Sequence, residues 1–270
     1  MSFDSNNNNV LMTRFSANLG FLWKELDLPD AIRAAASAGF DAVECHWPYD
    51  IPTSSVNAAL EQTGLTMLGL NTQRGNVDAG DNGLAAIVGR ESEARDYIDE
   101  AVAYAHAIDC PNVHVMAGYS DKGSASIATF HDNLRYACQS AHKHGITVLI
   151  EPLNHFDAPG YHLSTIDEAL DTLAKLAQSN LKIMFDCYHL QIMQGDLIRK
   201  LKTHLPSIGH IQVAAVPDRS EPDNGELHYP NIYKALQDMG WSGYIGAEYK
   251  PRTDTASGLG WLNKLRESTS

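Results

Sequence analysis

Four polar side chains stand at the ends of apolar runs, and their types suit the binding of a hard cation. Glu151 ends the run in "TVLIEPLN", Asp186 ends "LKIMFD", Gln212 lies in "IGHIQVA" and Glu248 in "GYIGAEY". They are spaced 35, 26 and 36 residues apart, about one strand–helix unit each. Three carboxylates converging in a partly buried site would repel one another strongly unless a cation neutralised them. Ligands that offer only oxygen favour Mg²⁺ or Mn²⁺, with the glutamine contributing its carbonyl oxygen. Each residue alone has a plainer reading. An acid at a strand end often caps the next helix, and a buried glutamine is often a hydrogen-bonded core amide. Four such residues on four successive strands are less easily explained that way.

Other polar residues fall close by in sequence. His189 lies three positions past Asp186, where it can donate to a substrate oxygen, although a lone histidine near a helix start is often a cap. Arg219 follows the seventh apolar run and can grip a carboxylate in a bidentate fork, although a lone loop arginine is usually solvated. Asn71 and His46 also end apolar runs and read as lining. His114, inside "NVHVMAG", reads as a satisfied core histidine, and His142 and His144 as surface residues on a helix.

These side chains need a frame that brings strand ends together. Eight short apolar runs, at 14–20, 41–47, 65–71, 112–118, 146–152, 181–186, 208–214 and 243–249, are rich in Val, Ile and Leu without clean alternation. Parallel strands covered on both faces have this character. Between them lie helical periods. Ala94, Ile98, Ala101, Val102 and Ala105 recur at three- and four-residue steps, as do Phe130, Leu134, Ala137 and Ala141. Thr165 and Glu168 have the spacing of a capping box, and Gly39 and Gly145 stand where a helix stops before a strand. Eight strand–helix units in about 250 residues predict a single-domain α/β chain, a (β/α)8 TIM barrel over 13–270. The rival, a doubly wound open sheet, carries a Gly-rich turn after its first strand, and "SANLGFLW" matches that poorly. Two long loops, 72–90 and 215–231, are candidate lids, the first with few apolar anchors.

The whole chain narrows the partners. Hydrophobic residues make up 44% of the 270 and charged residues 20%, with a formal net charge of -13 and no cluster of Lys or Arg. Nucleic acid and anionic membrane surfaces would be repelled at long range, and no apolar stretch approaches the ~20 residues that span a bilayer. Four cysteines, Cys45, Cys110, Cys138 and Cys187, are scattered without CxxC spacing, which fits buried thiols in a reducing, cytoplasmic setting. Residues 1–12 are polar and read as a disordered leader rather than a signal peptide. A homo-oligomer is compatible with all of this.

The segments "FSANLGFLW", "HVMAG", "HGITVLIEPLN", "FDCYHLQIMQGDL", "GHIQVA" with "PDR", and "GAEYKP" together resemble the hydroxypyruvate isomerase family of xylose-isomerase-like barrels, kin to the keto-sugar 3-epimerases. The likeness runs from Arg14 to Leu262. It implies a divalent metal held by Glu151, Asp186, Gln212 and Glu248, with the two glutamates also donating and accepting protons. It implies substrate contacts from His189 and Arg219. The reaction implied is an aldose–ketose type isomerisation through a cis-enediolate, hydroxypyruvate to tartronate semialdehyde first. Isomerisation of a larger 2-oxo acid such as a 2-oxo-tetronate, or 3-epimerisation of a keto sugar, stays open. A small non-phosphorylated hydroxy-keto acid or sugar is expected, because no Gly-rich phosphate cradle follows strands seven and eight. An apurinic-site endonuclease on the same barrel is the remote alternative, since it needs several histidine ligands and a basic groove. Three positions depart from the family pattern: Ser220 stands for a histidine, Phe156 for an arginine and His228 for an asparagine. They read as pocket-lining changes that bear on substrate choice.

Overall fold

The apolar runs form strands buried on both sides. The computed structural model describes residues 13–267; the leader expected at 1–12 lies outside the described residues. Eight parallel strands, β1 (Arg14–Asn18), β2 (Ala42–Glu44), β3 (Leu70–Asn71), β4 (Asn112–His114), β5 (Thr147–Ile150), β6 (Leu181–Asp186), β7 (Ile208–Val213) and β8 (Tyr244–Ala247), pair in the order β2-β1-β8-β7-β6-β5-β4-β3. Val43 N–H donates to Thr66 O at 3.0 Å, and Leu68 N–H donates to Val43 O at 2.7 Å. These bonds bring β2 against the segment leading into β3, so the sheet nearly closes into a TIM barrel.

Helices cover the barrel: α1 (Leu28–Ser37), α2 (Thr53–Thr63), α3 (Glu91–Ala107), α4 (Ser124–His142), α5 (Ile166–Leu176), α6 (Cys187–Met193), α7 (Leu197–His204), α8 (Tyr229–Asp238), α9 (Thr255–Gly258) and α10 (Gly260–Glu267). Their ends follow local chemistry. The Asp27 side chain accepts from Asp30 N–H at the start of α1, and the Thr165–Glu168 capping box opens α5 with both of its bonds made. Gly39, just past α1, has φ 87°, a left-handed turn that costs a glycine nothing.

Strand alternation sorts the two faces. Val148, Ile150, Ile183, Phe185, Ile211, Val213 and Ile245 join the core shared with the helices. Leu149, Met184 and His210 instead line a small cavity of about 20 Å³ inside the barrel. Two positions further along their strands come Glu151, Asp186 and Gln212. Two positions past Gly246 of β8 comes Glu248. The period of two thus aims all four at the interior, at the C-terminal mouth.

Both long loops, the candidate lids, are anchored to the rest of the barrel. In 72–90, Leu84, Ala85 and Ala86 are buried, and Asn133 of α4 donates to Ala85 O at 2.9 Å. The expectation of few apolar anchors is therefore corrected: a short "LAA" run is enough to dock this loop. In 215–231, Glu226 N–H donates to Val216 O at 2.9 Å and the buried Glu221 accepts from Arg252 N–H at 3.1 Å. That loop is tied down at both ends and serves as a support for Arg219.

Candidate active site and metal centre

Glu151, Asp186, Gln212 and Glu248 are all buried at the barrel mouth. Asp186 does two jobs at once. Its Oδ1 caps α6 by accepting from Tyr188 N–H at 2.8 Å, while Oδ2 faces the site without a hydrogen-bond partner. The Glu151 Oε1 and Gln212 Oε1 atoms are likewise buried and unpartnered. A buried, unsatisfied acceptor is costly, and three oxygens of this kind, from residues at the ends of β5, β6 and β7, have the chemistry that suits a hard divalent cation. The residues present fit such an ion.

Glu248 stands in different surroundings. Its Oε1 lies 3.1 Å from Asn18 Nδ2, which donates to it, and 3.1 Å from His46 Nε2. Its Oε2 accepts from the Arg219 guanidinium at 2.9 Å. The same guanidinium lies 3.7 Å from Asp186 Oδ2 and 3.6 Å from Asp157 Oδ2, sandwiched by the rings of Phe21 and Tyr188 at 4.7 and 5.1 Å. Arg219 has φ 57°, a strained value for a side-chain-bearing residue. Two backbone bonds hold it there: its N–H donates to Ala215 O at 2.9 Å and its carbonyl accepts from Lys250 at 2.7 Å.

These contacts separate the acids electrostatically. Burial, then the charges of Glu248 and Asp186, push Glu151 well above the usual carboxylate range. Burial and Glu248 raise Asp186 to about 7. Burial opposes ionisation of Glu248 too, but Arg219 and His46 outweigh it and hold it at about 2. Two glutamates in one site with opposite proton affinities can divide the roles of donor and acceptor.

His189 reaches the same space from α6. Its Nδ1 accepts from Asn154 N–H at 3.0 Å, so in the neutral ring the proton sits on Nε2. Burial, then the Arg219 charge, keep the ring neutral by lowering its pKa well below the usual value. Nε2 lies 3.6 Å from Asp186 Oδ2 and 3.9 Å from Glu151 Oε1. Glu151, Asp186 and His189 could by spacing alone hold an ion, but a protonated Nε2 makes His189 a hydrogen-bond donor into the site.

Of the other expected residues, His46 touches Glu248 directly, and Asn71 lines the cavity below, its N–H held by His46 O at 2.8 Å. The expectation for His114 is corrected. It is buried, but neither ring nitrogen has a partner, and Nδ1 faces Glu151 Oε2 at 3.7 Å. His114 pairs with Leu149 and lines the same interior cavity, so its inward-facing ring looks toward Glu151 instead of finding a core partner. The pocket-lining role expected of three departures is also corrected. Phe156 is 74% exposed, His228 is exposed before α8, and Ser220 is turned into its own loop, donating to Asp218 Oδ1 at 2.9 Å. Sequence reasoning passed over Asn18, which ends β1 as Glu151 follows β5. The same strand-end rule would have flagged it.

The comparisons agree with this geometry. The family model described as xylose isomerase-like TIM barrel matches residues 32–265. The 2-oxo-tetronate isomerase of Cupriavidus necator is 44% identical over 93% of this chain and 98% of its own. The hydroxypyruvate isomerase of Escherichia coli is 39% identical over 94% of this chain and 100% of its own. A solved structure from Brucella melitensis, titled AP endonuclease, family 2, is 42% identical, covers 94% of this chain and 99% of that one, and superposes with a TM-score of 0.90. The chain therefore belongs to the xylose isomerase-like TIM-barrel family, in the group that holds the hydroxypyruvate and 2-oxo-tetronate isomerases.

Proposed function

We propose that this protein isomerises a small, non-phosphorylated α-hydroxy-keto acid by moving a carbonyl between adjacent carbons. Hydroxypyruvate to tartronate semialdehyde is the first reaction to test, and a four-carbon 2-oxo-tetronate the second. The observation that carries the reading is the set of three buried, unpartnered oxygens at neighbouring strand ends, on Glu151, Asp186 and Gln212, together with Glu248 and its largely buried partner Arg219. Glu151, Asp186, Gln212 and Glu248 would hold Mg²⁺ or Mn²⁺. Such a cation, when bound, would polarise the substrate carbonyl and acidify the neighbouring C–H bond.

The protein's own groups then have definite tasks. One glutamate takes the carbon proton and the other returns a proton, with a cis-enediolate between. His189 Nε2–H donates to a substrate oxygen. Arg219 leaves Glu248 to grip the substrate carboxylate. His46 and Asn18 keep Glu248 oriented once Arg219 has let go. The buried site and its docked loops keep water from the enediolate. Four free, buried cysteines fit a cytoplasmic setting, and among the described residues no helix is long and apolar enough to cross a membrane.

Metal-stripped and Mn²⁺-loaded protein should be offered hydroxypyruvate, a 2-oxo-tetronate and a ketohexose, with products read by NMR in D2O. Turnover of a keto acid only in the loaded sample supports the reading. Activity on ketoses with none on either keto acid sinks it. The nuclease title of the Brucella homologue is less well supported for this chain, whose charge of -13 opposes DNA. Tight DNA binding at moderate salt would reverse that judgement.

A further inference from the structure

Glu44, on β2, is a buried acid that the proposed reaction does not use. It faces Gln212 across the barrel, and its Oε2 accepts from Gln212 Nε2 at 2.7 Å. Its Oε1 accepts from Ser16 Oγ at 2.9 Å, and His210 Nε2 lies 3.2 Å from both oxygens. Gly246 of β8 sits against this group. A Cβ there would come within 2.2 Å of Glu44 Oε1, 2.8 Å of His210 Nε2 and 2.9 Å of Gln212 Cγ. The network thus fills the space that any side chain at 246 would take, and it is built into the packing.

A primary amide has two ends of nearly equal size, of which only the carbonyl can bind a cation. A carboxylate oxygen only accepts, so it captures the NH2 end. The carbonyl end, Oε1, is then left free of any hydrogen-bond partner. We propose that Glu44 is a positioning residue that sets the amide orientation of Gln212 and so presents its oxygen to the cation. Groups that hold a metal ligand in place commonly change affinity 10–100-fold when removed. This inference rests on reading Glu151, Asp186, Gln212 and Glu248 as the cation ligands.

The test is Mn²⁺ titration of the metal-stripped protein, with free Mn²⁺ read by electron paramagnetic resonance and unfolding followed separately. Glu44→Gln keeps the size but offers either amide end to Gln212, so Mn²⁺ affinity should fall by about 10–100-fold. The exchange Glu44→Gln/Gln212→Glu restores a donor–acceptor pair with reversed polarity, and binding should return to at least the wild-type range. Gly246→Ala removes no polar group but crowds the Glu44 carboxylate first, and His210 and Gln212 Cγ with it, and it should also weaken binding. Wild-type affinity in Glu44→Gln, with or without lowered stability, overturns the proposal and leaves Glu44 as a partner for His210. If Glu44→Gln does not fold, wild-type affinity in Gly246→Ala overturns it instead. A wild-type protein that takes up no Mn²⁺ overturns the cation reading itself, and this proposal with it.

Discussion

Replacing Arg219 with Met isolates its charge, because Met keeps a flexible apolar chain between the rings of Phe21 and Tyr188. The guanidinium lies 2.9 Å from Glu248 Oε2 and the Arg219 side chain is only 12% exposed. At an effective dielectric near 20, one such contact carries about 6 kcal/mol of gross attraction, most of it offset by the desolvation of both groups. What remains when one partner is removed is the cost of an uncompensated buried carboxylate, about 3–5 kcal/mol. With no cation bound, Arg219→Met should therefore unfold about 3–5 kcal/mol more easily. For a chain of this size that is a Tm lower by roughly 6–10 °C. The assay is chemical and thermal unfolding of metal-stripped wild type and variant, each repeated with saturating Mn²⁺. Mn²⁺ should narrow the gap, because a cation near the same acids supplies the missing positive charge. Metal-free stabilities within about 1 kcal/mol of each other, well below the range for a broken buried pair, would refute Arg219 as the internal counter-charge.

Three further outcomes are expected. Glu248→Gln should retain the fold yet lose about 10²–10⁴-fold in the entry of solvent deuterium at substrate carbon; undiminished exchange excludes Glu248 from proton transfer. His162 is buried and its pKa is pushed down to about 4, by burial first and then by the Lys122 charge. The unfolded chain, with a histidine pKa of about 6.5, binds more protons between those values. The stability from His162 is thus full above about 6.5 and lost as pH falls through about 4, by at most about 3 kcal/mol. His162→Asn should flatten the stability–pH curve in that window, and an unchanged slope contradicts this. Ala177, the exposed residue ending α5, has φ 49°, so Ala177→Gly should raise stability by about 0.5–1 kcal/mol in urea unfolding.

Much of the architecture was legible because local rules act over a few residues. The apolar run at 146–152 contains β5, and the helical period from Ala94 to Ala105 lies within α3. The Thr165–Glu168 pair became the capping box its spacing announced. Strand ends drifted, as with the run at 112–118, where only Asn112–His114 pairs as β4. A ladder ends where the neighbouring strand leaves it, which no single run encodes. His114 was misread because whether a buried ring finds a partner depends on which side chains the closed barrel places around it.

The sequence by itself determined that acids and an amide stand at the ends of buried parallel strands, since strand period and strand–helix spacing leave little choice. Only the tertiary structure decided what each of them does. Glu151 and Glu248 are the same residue type at equivalent strand ends, yet one is pushed toward its protonated form and the other held ionised. The difference comes from Arg219, 29 positions before Glu248, and from His46, 202 positions before it. Glu44 meets Gln212 across 168 residues. Proton affinity and amide orientation are set by charges and donors within a few ångströms, and closing the barrel is what brings those neighbours together.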